Sequence, residues 1–116
     1  MDKRHPIDLA LSGTADAAGT RTLETQIFAG GGLLCLQRVA VRCASDATLV
    51  AHVSFDRAGS KLYLETLTTT VAGQIASLQG PVFAPSDYGV TIEFSSVGAG
   101  EQVYAWIYGY WTPPAE

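Results

Sequence analysis

A strand that is apolar on both faces needs cover on both, and residues 103–111 (Val-Tyr-Ala-Trp-Ile-Tyr-Gly-Tyr-Trp) read as such a strand. The two-residue period puts Tyr104, Trp106, Tyr108 and Tyr110 on one face. Val103, Ala105, Ile107 and Trp111 fall on the other. A chain of 116 residues builds one core. One face of this strand enters that core, and the other must meet something else: a packed neighbour within the fold, a ligand or another subunit.

Upstream, strand patterns recur every ~10–15 residues, the spacing of an all-β sandwich or barrel. Residues 22–29 form the first and end in Gly30-Gly31-Gly32. Residues 33–43 follow, with Cys35, Val39, Val41 and Cys43 expected on one face and Arg38, Ala40 and Arg42 on the other. In residues 48–55, Leu49, Ala51, Val53 and Phe55 point one way, and residues 56–60 read as a hairpin loop. Residues 61–69 alternate Leu62, Leu64 and Thr66 against Tyr63, Glu65 and Leu67. Residues 71–78 are ambiguous between strand and loop. Gly80-Pro81 and Pro85 bracket Val82 and Phe83, which limits that pair to a short edge element. Residues 88–95 alternate again, with Tyr88, Val90, Ile92 and Phe94 opposite Gly89, Thr91, Glu93 and Ser95. Gly98 and Gly100 turn the chain into the aromatic strand, and Pro113 ends it because proline cannot donate to the ladder.

The expected fold is a single antiparallel β-sandwich, jelly-roll-like or immunoglobulin-like, of about seven to eight strands. It occupies residues 22–112, with an extended arm over residues 1–21 and a short tail over residues 113–116. The arm contains the small, polar run of residues 12–20, which has the composition of a flexible segment. Its first part differs: Ile7, Leu9 and Leu11 alternate and could add as a strand to a sheet edge.

Composition removes several functions. The formal charge is −4, with two lysines and five arginines, which does not suit a phosphate-binding surface for nucleic acid. No uninterrupted apolar run approaches membrane-spanning length, and none follows residues 1–6 as a signal peptide would require. Cys35 and Cys43 lie eight residues apart in one strand, about 26 Å at ~3.3 Å per residue. Disulfide-linked Cα atoms lie within ~7 Å, so two free thiols are expected, as in a protein made in a reducing cytoplasm.

Catalytic and metal patterns are missing too. His5 and His52 lack the Cys-x-x-Cys or His-x-x-x-His spacing of a zinc site. No Gly-x-Ser-x-Gly elbow exists, and Gly30-Gly31-Gly32 leads into a strand where a phosphate loop needs a helix. Glu65 and Glu93 could pair across strands, but solvent-facing strand carboxylates are far commoner than catalytic pairs. The expectation is a protein that is not an enzyme, with no cofactor and no metal.

The aromatic face of residues 103–111 remains. Tyr104, Trp106, Tyr108 and Tyr110 could stack sugar rings, or could seal the domain to another protein. Charged residues make up 16% of the chain against about 25% in typical soluble domains. That shortage favours a surface buried against protein.

The arrangement of a polar arm over residues 1–21, a compact β-domain from Thr22 and an apolar last strand running into Pro113-Pro114 resembles virion accessory proteins of tailed bacteriophages. Capsid decoration or cement proteins and head-fibre bases share it. The resemblance implies a structural protein made in the bacterial host's cytoplasm and carried in the virion. Its partners would be the major capsid protein and copies of itself, as dimers or trimers, and neither nucleic acid nor membrane. The expected interface residues are Tyr104, Trp106, Tyr108 and Tyr110, with Ile7, Leu9 and Leu11 from the arm. The alternatives are a carbohydrate-binding β-sandwich module with a glycan partner, and a phage tail or baseplate component.

Overall fold

The computed structural model describes residues 5–25, 33–43, 49–57, 60–69, 74–85, 88–95, 97 and 99–112. Among these residues there are eight strands: β1 (His5–Thr14), β2 (Arg21–Glu24), β3 (Leu33–Cys43), β4 (Val50–Arg57), β5 (Ser60–Thr68), β6 (Ala76–Pro85), β7 (Gly89–Ser95) and β8 (Gln102–Thr112). They form two four-stranded sheets, ordered β1-β8-β3-β6 and β2-β7-β4-β5. All pairings are antiparallel. The chain crosses repeatedly between the sheets, so that β8 lies between β1 and β3 while β7 lies between β2 and β4. This interleaving is the double Greek key of a jelly roll, which settles the choice against an immunoglobulin-like order.

The alternation read from the sequence explains the core. Val103, Ala105 and Ile107 on β8 are completely buried, and across the sandwich they meet a layer from β4 and β7. That layer holds Ala51, Val53, Phe55, Val90, Ile92 and Phe94, each no more than 2% exposed. Trp111 closes the far end of the inner face, its ring stacked on His5 at 4.3 Å. The Cys35 and Cys43 thiols are free and buried.

Residues 5–14, expected within an arm, are an integral strand. β1 pairs with β8 over its whole length, from His5↔Trp111 to Thr14↔Gln102. Ile7 is buried in the core, and Leu9 and Leu11 are half-buried against it. These three side chains therefore fill the protein's own interior where contact with a partner was expected. The polar run after β1 is likewise tightly bonded. The Asp16 carboxylate accepts hydrogen bonds from the Ala18 and Thr20 amides at 2.9 and 3.0 Å and from the Thr20 hydroxyl at 2.8 Å. These bonds hold Asp16 below the usual carboxylate pKa, the Thr20 amide contributing most. Gly19 closes the turn at φ +78°, and a Cβ there would strike the Val97 carbonyl. Composition suggested flexibility because it does not show that one aspartate can satisfy a whole turn.

The central strand β3 carries a bulge at Gln37, where the register with both neighbours shifts between Leu36 and Arg38. The extra residue reverses the alternation. Leu34 and Leu36 face the core before it, and Val39, Val41 and Cys43 after it. Cys35 was expected on the face of Val39. It pairs instead with Tyr110 and Phe83, on the outer side of the sheet.

β6 also departs from expectation. Gly80 and Pro81 were read as limiting Val82 and Phe83 to a short element, yet the strand runs ten residues through them. It can do so because β6 is a sheet edge, where a missing amide donor faces away from the ladder, and because the β3 bulge lies opposite. A second bulge interrupts β5: Val53 pairs with Glu65 and Ser54 with Tyr63, leaving Leu64 as the extra residue. The hairpin between β4 and β5 is shorter than expected, the ladder continuing to Arg57↔Ser60. Residues 26–29, Gly30-Gly31-Gly32 and Pro113-Pro114 lie outside the described residues.

Candidate functional site: the outer face of the β1-β8-β3-β6 sheet

Tyr104, Trp106, Tyr108 and Tyr110 form a continuous row down the outside of β8. Because β8 has a neighbour on each side, the row lies in the middle of the sheet face. Tyr104 and Trp106 stack nearly in parallel, ring centroids 6.1 Å apart and planes 19° apart. Tyr108 is the most open of the four, 37% exposed, and the others are half-buried.

The register specifies what stands beside each ring. Tyr108 lies between Asp8 of β1 and Arg38 of β3, Trp106 between Ala10 and Ala40, and Tyr104 between Ser12 and Arg42. Tyr110 lies between Pro6 and Cys35. The small residues flanking Trp106 matter, because the sheet surface drops at Ala40. A cleft of about 200 Å³ opens there, lined by Arg38, Ala40, Ile75, Trp106 and Tyr108. Neither Arg38 nor Asp8 has a hydrogen-bond or ion-pair partner among the described residues. Ile75 and Phe83 add exposed apolar surface near the β6 edge, at 53% and 52% exposure.

Among the described residues of this face, no nucleophile is set beside a base. Its chemistry is that of contact: apolar area from the rings, a guanidinium at one side of the cleft, and a carboxylate across Tyr108. Tyr, Trp and Arg in this combination are the residues enriched at the energetic centres of protein interfaces.

The expected site therefore divides. The four aromatic residues are brought together on one open face, whereas Ile7, Leu9 and Leu11 turn inward. Asp8, Arg38, Ala40 and Ile75 were not anticipated. Arg38, Ala40 and Arg42 had been placed together on one face of β3, but only strand order puts that face beside the aromatic row. Glu65 and Glu93 are not paired. β4 runs between their strands, and Glu93 is bound to Lys61 at 2.8 Å.

No protein-family model and no curated protein matches this chain. Among solved structures it is similar to PirA, at 12% identity with a TM-score of 0.56, covering 93% of this chain and 94% of that one. The Yersinia pseudotuberculosis-derived mitogen is also similar, at 12% identity with a TM-score of 0.50, covering 97% of this chain and 90% of that one. A structure of infectious bursal disease virus matches at 16% identity with a TM-score of 0.41, spanning 95% of this chain and 31% of the viral one. The strand order makes the protein a jelly-roll β-sandwich, and at such identities the likeness to the first two structures concerns fold alone.

Proposed function

We propose that the protein is a structural, non-catalytic virion component. It attaches to an assembled bacteriophage capsid, as decoration or cement proteins do, through the outer face of the β1-β8-β3-β6 sheet. The observation that carries this reading is the row Tyr104, Trp106, Tyr108 and Tyr110 lying partly exposed in the middle of that face, beside Arg38 and Arg42. Tyr108 is 37% exposed and the other rings are partly exposed, and a bound partner would remove that remaining apolar surface from water at ~25 cal/mol per Å².

The cleft at Ala40 supports a protein partner. At about 200 Å³ it is smaller than the ~300–1,000 Å³ of ordinary small-molecule pockets and suits one inserted side chain. Sugar stacking on this face is less well supported, since three of the four rings are half-buried among their neighbours. Many copies on one shell would convert modest individual contacts into firm attachment. The added stability would appear only in the assembled state.

Two measurements test the proposal. Quantitative mass spectrometry of purified virions should find the chain in many copies per particle, and its absence from virions would refute the assignment. Trp106→Ser should remove the purified protein from isolated heads while leaving it folded. Loss of glycan binding by a variant that still decorates heads would transfer this face to the carbohydrate alternative.

A further inference from the structure

We propose a second binding site on the opposite sheet: a shallow glycan subsite around Tyr63 that takes an uncharged pyranose ring. Tyr63 is the most exposed of the large apolar or aromatic side chains described, at 65%. It borders an open depression of about 450 Å³ whose other walls are His52, Leu64, Glu65 and Thr66. The bulge at Leu64 creates this grouping. Tyr63 and Thr66 are three positions apart and would fall on opposite faces of a regular strand. The extra residue brings both to the outer side, opposite Ser54 and His52 respectively.

The polar groups are held ready. His52 Nδ1 and the Thr66 hydroxyl are 2.8 Å apart, which fixes the imidazole and leaves its other ring nitrogen without a partner among the described residues. The Glu65 carboxylate also has no partner there. An aromatic face carries partial negative charge, which attracts the C–H groups on the apolar side of a sugar ring. Imidazole, hydroxyl and carboxylate together offer the donors and acceptors that ring hydroxyls require.

Charge selects among sugars. Glu65 is the carboxylate that lines the depression, whereas Arg21, Arg57 and Lys61 of the same sheet do not line it, and Lys61 is bound to Glu93. An anionic sugar would meet the like charge of Glu65 in the depression, whereas a neutral one would not. The site is independent of the attachment face, because it lies on the other sheet and would remain open when that face is covered.

The test is a titration of the intact protein with lactose, maltose, cellobiose and chitobiose, followed by NMR of the Tyr63 ring and the His52 imidazole, with N-acetylneuraminic acid as the anionic probe. At least one neutral disaccharide should shift both signals, and Tyr63→Ala should bind it about tenfold more weakly. The Tyr63→Ala variant should still decorate heads, and Trp106→Ser should still bind sugar, so failure here is distinguishable from failure of the attachment proposal. Unmoved Tyr63 and His52 signals with every neutral sugar would overturn the inference. So would undiminished binding by Tyr63→Ala, or tighter binding of the anionic probe.

Discussion

Gly80 and Gly109 stand against the same strand from opposite sides. Gly109 on β8 meets the Cys35 carbonyl and Gly80 on β6 meets the Leu36 carbonyl, so the backbone leading into the Gln37 bulge is gripped between two residues without side chains. The bulge keeps Leu36 and Val39 both facing the core, and it places Arg38 beside Tyr108. Core packing and the geometry of the outer face thus depend on one local irregularity.

Alanine at either glycine would push a Cβ into backbone that has no room to move. Gly109→Ala and Gly80→Ala should each destabilise the protein by about 1–3 kcal/mol, read as a lower urea midpoint. Gly109→Ala should also weaken attachment to heads, because it shifts Arg38 relative to Tyr108. An unchanged midpoint for both would mean that the close approaches do not exist in solution.

The two faces of β8 should respond differently to substitution. Ile107→Ala empties a fully buried position and should lower stability by about 2–5 kcal/mol. Tyr108→Ser, one residue along, should leave the denaturation midpoint nearly unchanged and affect attachment only. Comparable destabilisation by both would place the aromatic row inside a core.

Asp16 sets a dependence on acid. Its pKa is lowered in the folded protein by the Thr20 and Ala18 bonds. Its contribution is therefore complete above the unfolded value, near 3.8, and is lost as pH falls through the lower folded value. Asp16→Ala should be less stable than wild type at neutral pH, with the gap closing in strong acid. A gap that stays constant across acid titration would show that the carboxylate does not hold the turn.

Lys61 sets the opposite dependence. Its hydrogen bond to Glu93 raises its pKa above 10.5, so its contribution is complete below that value and is lost as pH rises through the higher folded value. The pair is partly exposed, and its effect should be small and weakened by salt. Lys61→Met and wild type should converge in stability in strong base. A difference that instead grows with pH would assign Lys61 another role.

Much of this architecture was legible because strand alternation is a local signal. Leu49, Ala51, Val53 and Phe55, like Val90, Ile92 and Phe94, point inward as their spacing implied. The β8 row was legible for the same reason. What escaped depended on non-local pairing. The bulges at Gln37 and Leu64 reverse alternation without any distinctive residue to announce them, and they moved Cys35 and Tyr63 to unexpected faces. β1 looked like an arm because its polar turn resembles a linker until Asp16 is seen to bond it. Arg38 and Asp8 flank Tyr108 only because β3 and β1 flank β8, and strand order is not written in any one segment.

On the proposed role, the aromatic face of β8 is an attachment surface and not part of the fold's interior. Co-sedimentation of purified heads with wild type and with the Trp106→Ser/Tyr108→Ser double variant, alongside their urea midpoints, tests it most directly. Saturable decoration by wild type, no decoration by the variant and closely matching midpoints are expected. Full occupancy by a folded double variant would contradict that role.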